Sequence, residues 1–374
     1  MFKLQHGWAL LGAALFIIAN NLTAHGQRLQ LSTVSFAPIM GLSLWYMVCA
    51  IKQRHSRKVL GWGAASGVFL GAWSITCFYI TWFFIYFTTF YLAILYYQLS
   101  RTDRSVFISD AKAVWKSLVG VGAVTAASLF PLLHVYLSKS KEVGMRSYES
   151  ALAHTVPLEG IAQTGKQNYL FGGFYERLLA AVRPSYTGVG EYYNTGIAPI
   201  LLFLFAVALV CVIRSKAGKD TVMWRALAFA TLVTWLGVIN IGGHSLWYFL
   251  YTLFPGAKAL NVVGAYQIFL TIPVLMLALK YLSSVEHRLP VGVICLLVGL
   301  LAAEELNSGY ITLERSKELA KVALSADYYL RSNWKFQANY FTARTCFDID
   351  AKIFLNTILT IPNSLQVIST NVTK

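Results

Sequence analysis

The chain has 374 residues, of which 57% are hydrophobic and only 13% charged, and its mean hydropathy is +0.57. A soluble domain carries roughly 25% charged residues, so this composition excludes an ordinary soluble fold and makes lipid the solvent for much of the chain. The net charge of +15 does not point to nucleic acid, because the basic residues are scattered through short loops between apolar runs, which is how membrane topology is written.

Lys3 precedes an apolar run over 7–19. A secretory leader would end in a small-x-small cleavage pattern. Asn20-Asn21-Leu22-Thr23 is not one, so the run reads as a first membrane helix and start-transfer anchor. Apolar runs of about 18 or more residues are read as spanning helices, since lipid cannot satisfy bare backbone groups. Residues 59–100 hold no charge over 42 positions, and 222–257 hold only Arg225. Spans are expected at about 7–24, 33–51, 60–79, 82–99, 117–137, 197–213, 223–242, 262–281 and 289–306.

The stretch over 60–99 is too long for one crossing, because forty residues at about 1.5 Å each reach about 60 Å. A hairpin turning near Thr81 fits better, although no Gly, Pro or Asn marks the turn. Gly63, Gly67 and Gly71 recur every four residues and predict a close helix contact.

Charge on the connections orients this arrangement. Lys52, Arg54, Arg57 and Lys58 lie between spans two and three. Arg101, Arg104, Lys112 and Lys116 lie between four and five, against Asp103 and Asp110. Arg214, Lys216, Lys219 and Arg225 lie between six and seven, and His287 and Arg288 between eight and nine. Alternate loops are therefore basic, which makes them cytoplasmic, with the N-terminus inside and the C-terminus outside. The expected fold is an all-α membrane protein of about nine transmembrane helices over 1–306. It has a long outer loop at about 138–197 and a small α/β outer segment over 307–374. That tail reads as helices near 312–332 and 349–359 with extended stretches between and after them.

No phosphate loop, His-x-x-x-His pair, Cys-x-x-Cys or Gly-x-Ser-x-Gly elbow is present, and neither a metal nor a cofactor is implied. Four of the five cysteines, Cys49, Cys77, Cys211 and Cys295, fall in apolar runs as packing residues, and Cys346 has no external partner for a disulfide. No Asp or Glu falls in the middle of a span, which counts against an ion-coupled transporter or a lipid flippase. Glu304 and Glu305 stand at the outer end of the ninth.

Three outer segments carry candidate binding groups. His25, Gln27 and Arg28 form a polar turn or the lip of a cavity. Arg146, Tyr148 and Glu149 open the long loop, where Arg146 pairs with Glu149 three positions on or meets a phosphate, which suits its guanidinium fork. Lys258 follows an aromatic stretch over 247–254 and either binds a lipid phosphate or anchors the chain at the headgroups.

Taken together, His25-x-Gln27 before the Pro38 span, a Gly-rich aromatic hairpin, Arg146-Ser147-Tyr148-Glu149, Asn168-Tyr169-Leu170-Phe171-Gly172 and Phe254-Pro255-Gly256-Ala257-Lys258-Ala259-Leu260 resemble the later membrane part of bacterial GT-C type glycosyltransferases. The resemblance implies transfer of a sugar from a polyprenyl-phosphate donor at the outer face of a bacterial inner membrane. Its base would be a carboxylate in the first outer loop. Residues 24–31 hold no Asp or Glu, and Asn261 and Ala265 stand where relatives tend to have arginine. Span one resembles a later span of that family, so the chain reads as a fragment, a diverged copy or a subunit needing a catalytic partner. If it is active, Glu149 or Glu191 serves as base, with His25, Gln27, Arg146, Tyr148 and Lys258 at the substrate. The alternatives are a non-catalytic scaffold and, behind it, a transporter or flippase.

Overall fold

The computed structural model describes residues 4–307 apart from 27, 144–146, 183–193, 216–218 and 255. The chain divides into a unit over Met1–Tyr310 and another over Ile311–Lys374. The second unit, with the helices and extended stretches expected after residue 307, lies outside the described residues.

The described part is a helical membrane protein. Among its residues six helical stretches are long and apolar enough to cross a membrane, namely His6–Thr23, Leu29–Lys52, Ser56–Thr76, Phe78–Gln98, Trp115–Ser138 and Val263–Arg288. Three shorter apolar helices, Pro199–Arg214, Thr221–Leu236 and Val291–Glu304, accompany them.

The first stretch is broken. Helix α1 (His6–Ile17) stops at Ile18, and a single turn, α2 (Asn20–Thr23), restarts at Ala19. A 3-10 run over Leu29–Ser35 then leads into α3 (Phe36–Lys52). The break between α4 (Ser56–Thr76) and α5 (Phe78–Gln98) is one extended residue, Cys77, with φ −151° and ψ 94°. It lies four positions before the expected turn at Thr81, whose hydroxyl instead donates to Cys77 O inside the helix at 3.0 Å. The end of α4 is held where Trp73 Nε1 donates to Thr33 Oγ1 at 3.1 Å.

The basic connection after α5 is itself a helix, α6 (Arg101–Ala113). Ser100 caps it by accepting from Asp103 N at 3.0 Å. Asp110 on its buried side accepts from Arg54 Nε at 2.7 Å, joining two basic loops at one face of the molecule. Helix α7 (Trp115–Val143) then runs through Pro131 and lies along α4. The glycine row makes that contact possible. A methyl on Gly71 would stand 2.6 Å from Ser128 O, and methyls on Gly63 and Gly67 would collide with Val121 and Thr125.

The long loop holds α8 (Tyr148–Leu152), the short strand β1 (Val156–Pro157) and α9 (Gly172–Val182). Next come α10 (Pro199–Arg214) and α11 (Lys219–Leu236). The apolar run expected to continue to residue 242 ends early. β2 (Ile239–Ile241) turns through Gly242 and Gly243, at φ 60° and 86°, into β3 (His244–Ser245). These left-handed conformations suit glycine in a tight hairpin. β1 pairs in parallel with β2, and β2 antiparallel with β3. This small sheet departs from the all-helical expectation for the segment before residue 307. It forms because β1 and β2, more than eighty positions apart, meet only in the folded chain.

Helix α12 (Trp247–Leu253) follows, then α13 (Tyr266–Val285) and α14 (Val291–Glu304). α13 is the centre of the bundle, with Ile268, Leu270, Val274, Leu277 and Ala278 wholly buried, packed among α1, α5, α10 and α11. Around its first turn Tyr266 meets Phe83 and Tyr86, with ring centroids at 5.2 and 5.4 Å.

Candidate functional site

Two constellations lie on the face of the molecule that carries the long loop. The first is built by α8 and α12. Ser147 caps α8 by accepting from Ser150 N at 3.2 Å, and Glu149 sits in the first turn, where a negative charge suits the helix dipole. Three ties then fix the helix. Ser150 Oγ donates to Asn261 Oδ1 at 3.1 Å, Gly264 N to His154 O at 2.8 Å, and Val156 N to Val238 O at 3.0 Å. The Asn261 N–H in turn donates to Tyr79 Oη at 3.1 Å, so α8, the segment before α13 and the start of α5 form one support.

On that support Tyr148 packs edge-on against Tyr248 and Tyr251 of α12, with centroids 5.3 and 5.6 Å away. Lys258 Nζ lies 5.7 Å from the Tyr251 ring centroid, within cation–π range. Gly256, at φ 79° with Trp82 beside it, makes the turn that brings Lys258 back toward α12. Burial among the rings raises the Tyr148 phenol above its usual range, with further contributions from Tyr248 and Glu149, so it remains a neutral donor. Lys258 and Glu149 are exposed. Trp247 is fully buried and anchors α12, while Tyr248, Phe249 and Leu253 are exposed on its other side.

Of the residues singled out in the sequence, Tyr148 and Lys258 meet through Tyr251, and Glu149 stands beside Tyr148 in the chain. His25 is half-buried in the turn after α2, where its carbonyl accepts from Arg28 N at 2.8 Å. Gln27, Arg146 and Glu191 lie outside the described residues. Among the described residues no three His, Cys, Asp or Glu side chains gather as a metal site. Tyr248 and Tyr251 went unremarked as individual residues, although the aromatic density of 247–254 pointed to them.

The second constellation was not expected. Glu304 and Glu305 are both buried. Glu304 accepts from Ile200 N and Leu201 N at 2.7 and 2.8 Å and so caps α10 from a distant part of the chain. Glu305 accepts from Asn20 N at 2.6 Å, at the start of α2. Asn20 donates to Thr164 O at 2.6 Å and accepts from Asn307 Nδ2 at 2.9 Å. Asn168 donates to Glu304 O at 2.6 Å. A neighbouring group joins Asn21 to Thr195 O and Thr271 Oγ1, at 3.2 and 2.8 Å, and Gln267 to Gly160 O and Thr195 Oγ1, at 3.1 and 3.0 Å. The adjacent amides of Asn20-Asn21 and the adjacent acids of Glu304-Glu305, each inside or ending an apolar run, were the signal available in the sequence.

No protein-family model matches this chain, and no curated protein or solved structure does.

Proposed function

We propose that this chain is a polytopic membrane protein of nine spans on the plan of a GT-C glycosyltransferase, lying in a bacterial inner membrane with its N-terminus cytoplasmic and its C-terminus extracytoplasmic. Six long apolar helices and three shorter ones, with basic residues on alternate connections, support this reading. The face with α8 and α12 is then extracytoplasmic, and Tyr148, Tyr251 and Lys258 receive the phosphate end of a polyprenyl-phosphate-linked sugar.

The observation that carries the reading is the convergence of Tyr148, Tyr251 and Lys258. The exposed ammonium supplies a charge-assisted hydrogen bond to a phosphate oxygen. The exposed apolar side of α12 offers the adjoining isoprenoid chain a surface. Glu149, exposed beside Tyr148, is the group that would take the acceptor's hydroxyl proton.

A non-catalytic scaffold is the second reading. It is favoured by one observation, that residues 24–31 hold no carboxylate where the resemblance expects the base.

Binding of a polyprenyl phosphate to the detergent-purified protein tests the proposal, with Lys258→Ala and Arg146→Ala compared against Arg57→Ala. Saturable binding is expected. Lys258→Ala should weaken it by roughly tenfold or more, since a hydrogen bond to a charged group contributes on the order of 1.5–3 kcal/mol, and Arg57→Ala should leave it unchanged. Binding no stronger than to an unrelated membrane protein removes the lipid-phosphate site. Sugar transfer abolished by Glu149→Gln, with lipid binding intact, separates an enzyme from a scaffold.

A further inference from the structure

Three buried side chains on the long-loop face each have an oxygen without a hydrogen-bond partner: Asn21 Oδ1, Thr164 Oγ1 and Gln267 Oε1. The residues are 3%, 0% and 0% exposed. The amide orientations are set by their surroundings. Asn21 Nδ2 faces Thr195 O, and Gln267 Nε2 faces Gly160 O. Turning either amide over would set its oxygen against a carbonyl, so the unpartnered atoms are acceptors. Both amides share Thr195, the one through its carbonyl and the other through its hydroxyl. Thr271, one helical turn beyond Gln267, takes the second Asn21 N–H. Thr164 is bound through its carbonyl to Asn20, the neighbour of Asn21. The three side chains therefore belong to one hydrogen-bonded network.

Carboxyl groups sit in the same network. Glu305 holds Asn20 N, and among the described residues neither Glu304 nor Glu305 forms an ion pair with a Lys, Arg or His. Glu304 already accepts two N–H groups of α10, one on each oxygen, whereas the Glu305 bond from Asn20 N occupies one oxygen. A buried carboxyl ionises most readily beside a positive charge. A single trapped water would donate to two of the oxygens and leave the third unpaired. Hard cations take oxygen ligands, and a calcium site usually draws on several carboxylates. A set of two amide oxygens, a hydroxyl and one available carboxylate matches a single positive charge.

We infer that Asn21, Thr164 and Gln267, balanced by Glu305, form a binding site for a dehydrated monovalent cation of the size of Na⁺. The ion would join the break between α1 and α2 to α13, the long loop and the end of α14, and so would tighten the face on which the Tyr148 cluster stands. The inference rests on this network alone and is independent of the lipid-phosphate reading.

The test is thermal unfolding of the detergent-purified full chain at fixed pH, with NaCl exchanged for choline chloride at constant ionic strength, alongside direct binding of radioactive Na⁺. A saturable rise in the unfolding midpoint with Na⁺ and not with choline is expected, because a ligand that binds only the folded state stabilises it by mass action. Thr164→Val is the informative variant. The Thr164 hydroxyl bonds no protein group, so the variant should still fold, and the rise of its midpoint in Na⁺ over its own midpoint in choline should be mostly lost. Glu305→Gln should lose the response altogether. Equal midpoints in Na⁺ and choline for the wild type, with no saturable Na⁺ binding, overturn the site whether or not the variants fold. An undiminished Na⁺ response in Thr164→Val overturns it as well.

Discussion

The side-chain amide of Asn168 donates to the backbone carbonyl of Glu304 at 2.6 Å. This bond fastens the middle of the long loop to the end of α14, 136 positions away in the chain. The same side chain accepts from Leu170 N and Phe171 N, at 3.1 and 2.9 Å, which fixes the turn that leads to α9. Tyr169 N adds a bond to Leu306 O at 3.1 Å.

Asn168→Leu removes the donor and the acceptor together and takes the Asn168 donor from the buried Glu304 carbonyl. A loss of about 1–3 kcal/mol per buried group stranded is expected, read as a lower midpoint in chemical or thermal unfolding. Limited proteolysis should cut the variant faster near residue 170 than the wild type. Wild-type cleavage rates would show that the latch does not hold the loop.

Gly71 supplies a sharper steric test. Its position faces Ser128 O at 2.6 Å from a built methyl, whereas the position of Gly61 on the same helix has nothing within 4 Å. Gly71→Val should lower stability by about 1–3 kcal/mol through overpacking. Gly61→Ala should leave it unchanged or slightly higher, since alanine is the better helix former. The comparison of unfolding midpoints in one detergent checks both, and equal effects would sink the close α4–α7 contact.

Glu304 acts as a helix cap supplied from outside its helix. Glu304→Ala should destabilise by about 1–2 kcal/mol, the usual range for loss of a cap. Glu304→Gln keeps one acceptor oxygen and should fall between the two. Slowed hydrogen exchange at Ile200 and Leu201 in the wild type, lost in Glu304→Ala, is the direct readout.

Tyr251 separates the aromatic support from the charge at the proposed lipid site. Tyr251→Leu should weaken α8 docking by about 1 kcal/mol, through loss of its ring contacts with Tyr148 and Lys258. Lipid-phosphate binding should fall while keeping its salt dependence. Lys258→Ala should instead remove that salt dependence, because the charge itself is gone.

The apolar helices were legible in the sequence because lipid imposes a local rule. A helix that crosses a bilayer must be long and apolar over consecutive residues, and the runs around α3, α4, α5, α7 and α13 obey it. The glycine row of α4 was legible for the same reason, since its spacing lies within one helix. Its partner could not be read, because nothing in 63–71 names Val121, Thr125 or Ser128. The break at Cys77 was expected four residues later because no Gly, Pro or Asn marks it, and the Trp73–Thr33 bond near the end of α4 joins segments forty positions apart.

Half of the candidate site was visible in the same way. Tyr148 and Lys258 stood out as an aromatic and a cation in polar or interfacial segments, and the fold brings them to either side of Tyr251. Asn20-Asn21, Gln267 and Glu304-Glu305 were not read as a site, because polar residues in or beside an apolar run do not name the partners that bury them. Their partners lie between 72 and 287 positions away. What the sequence determined by itself is which segments prefer lipid to water. Only the tertiary structure decided which buried amides and carboxylates meet, because the cost of burying a polar group is offset by a partner that another part of the chain must supply.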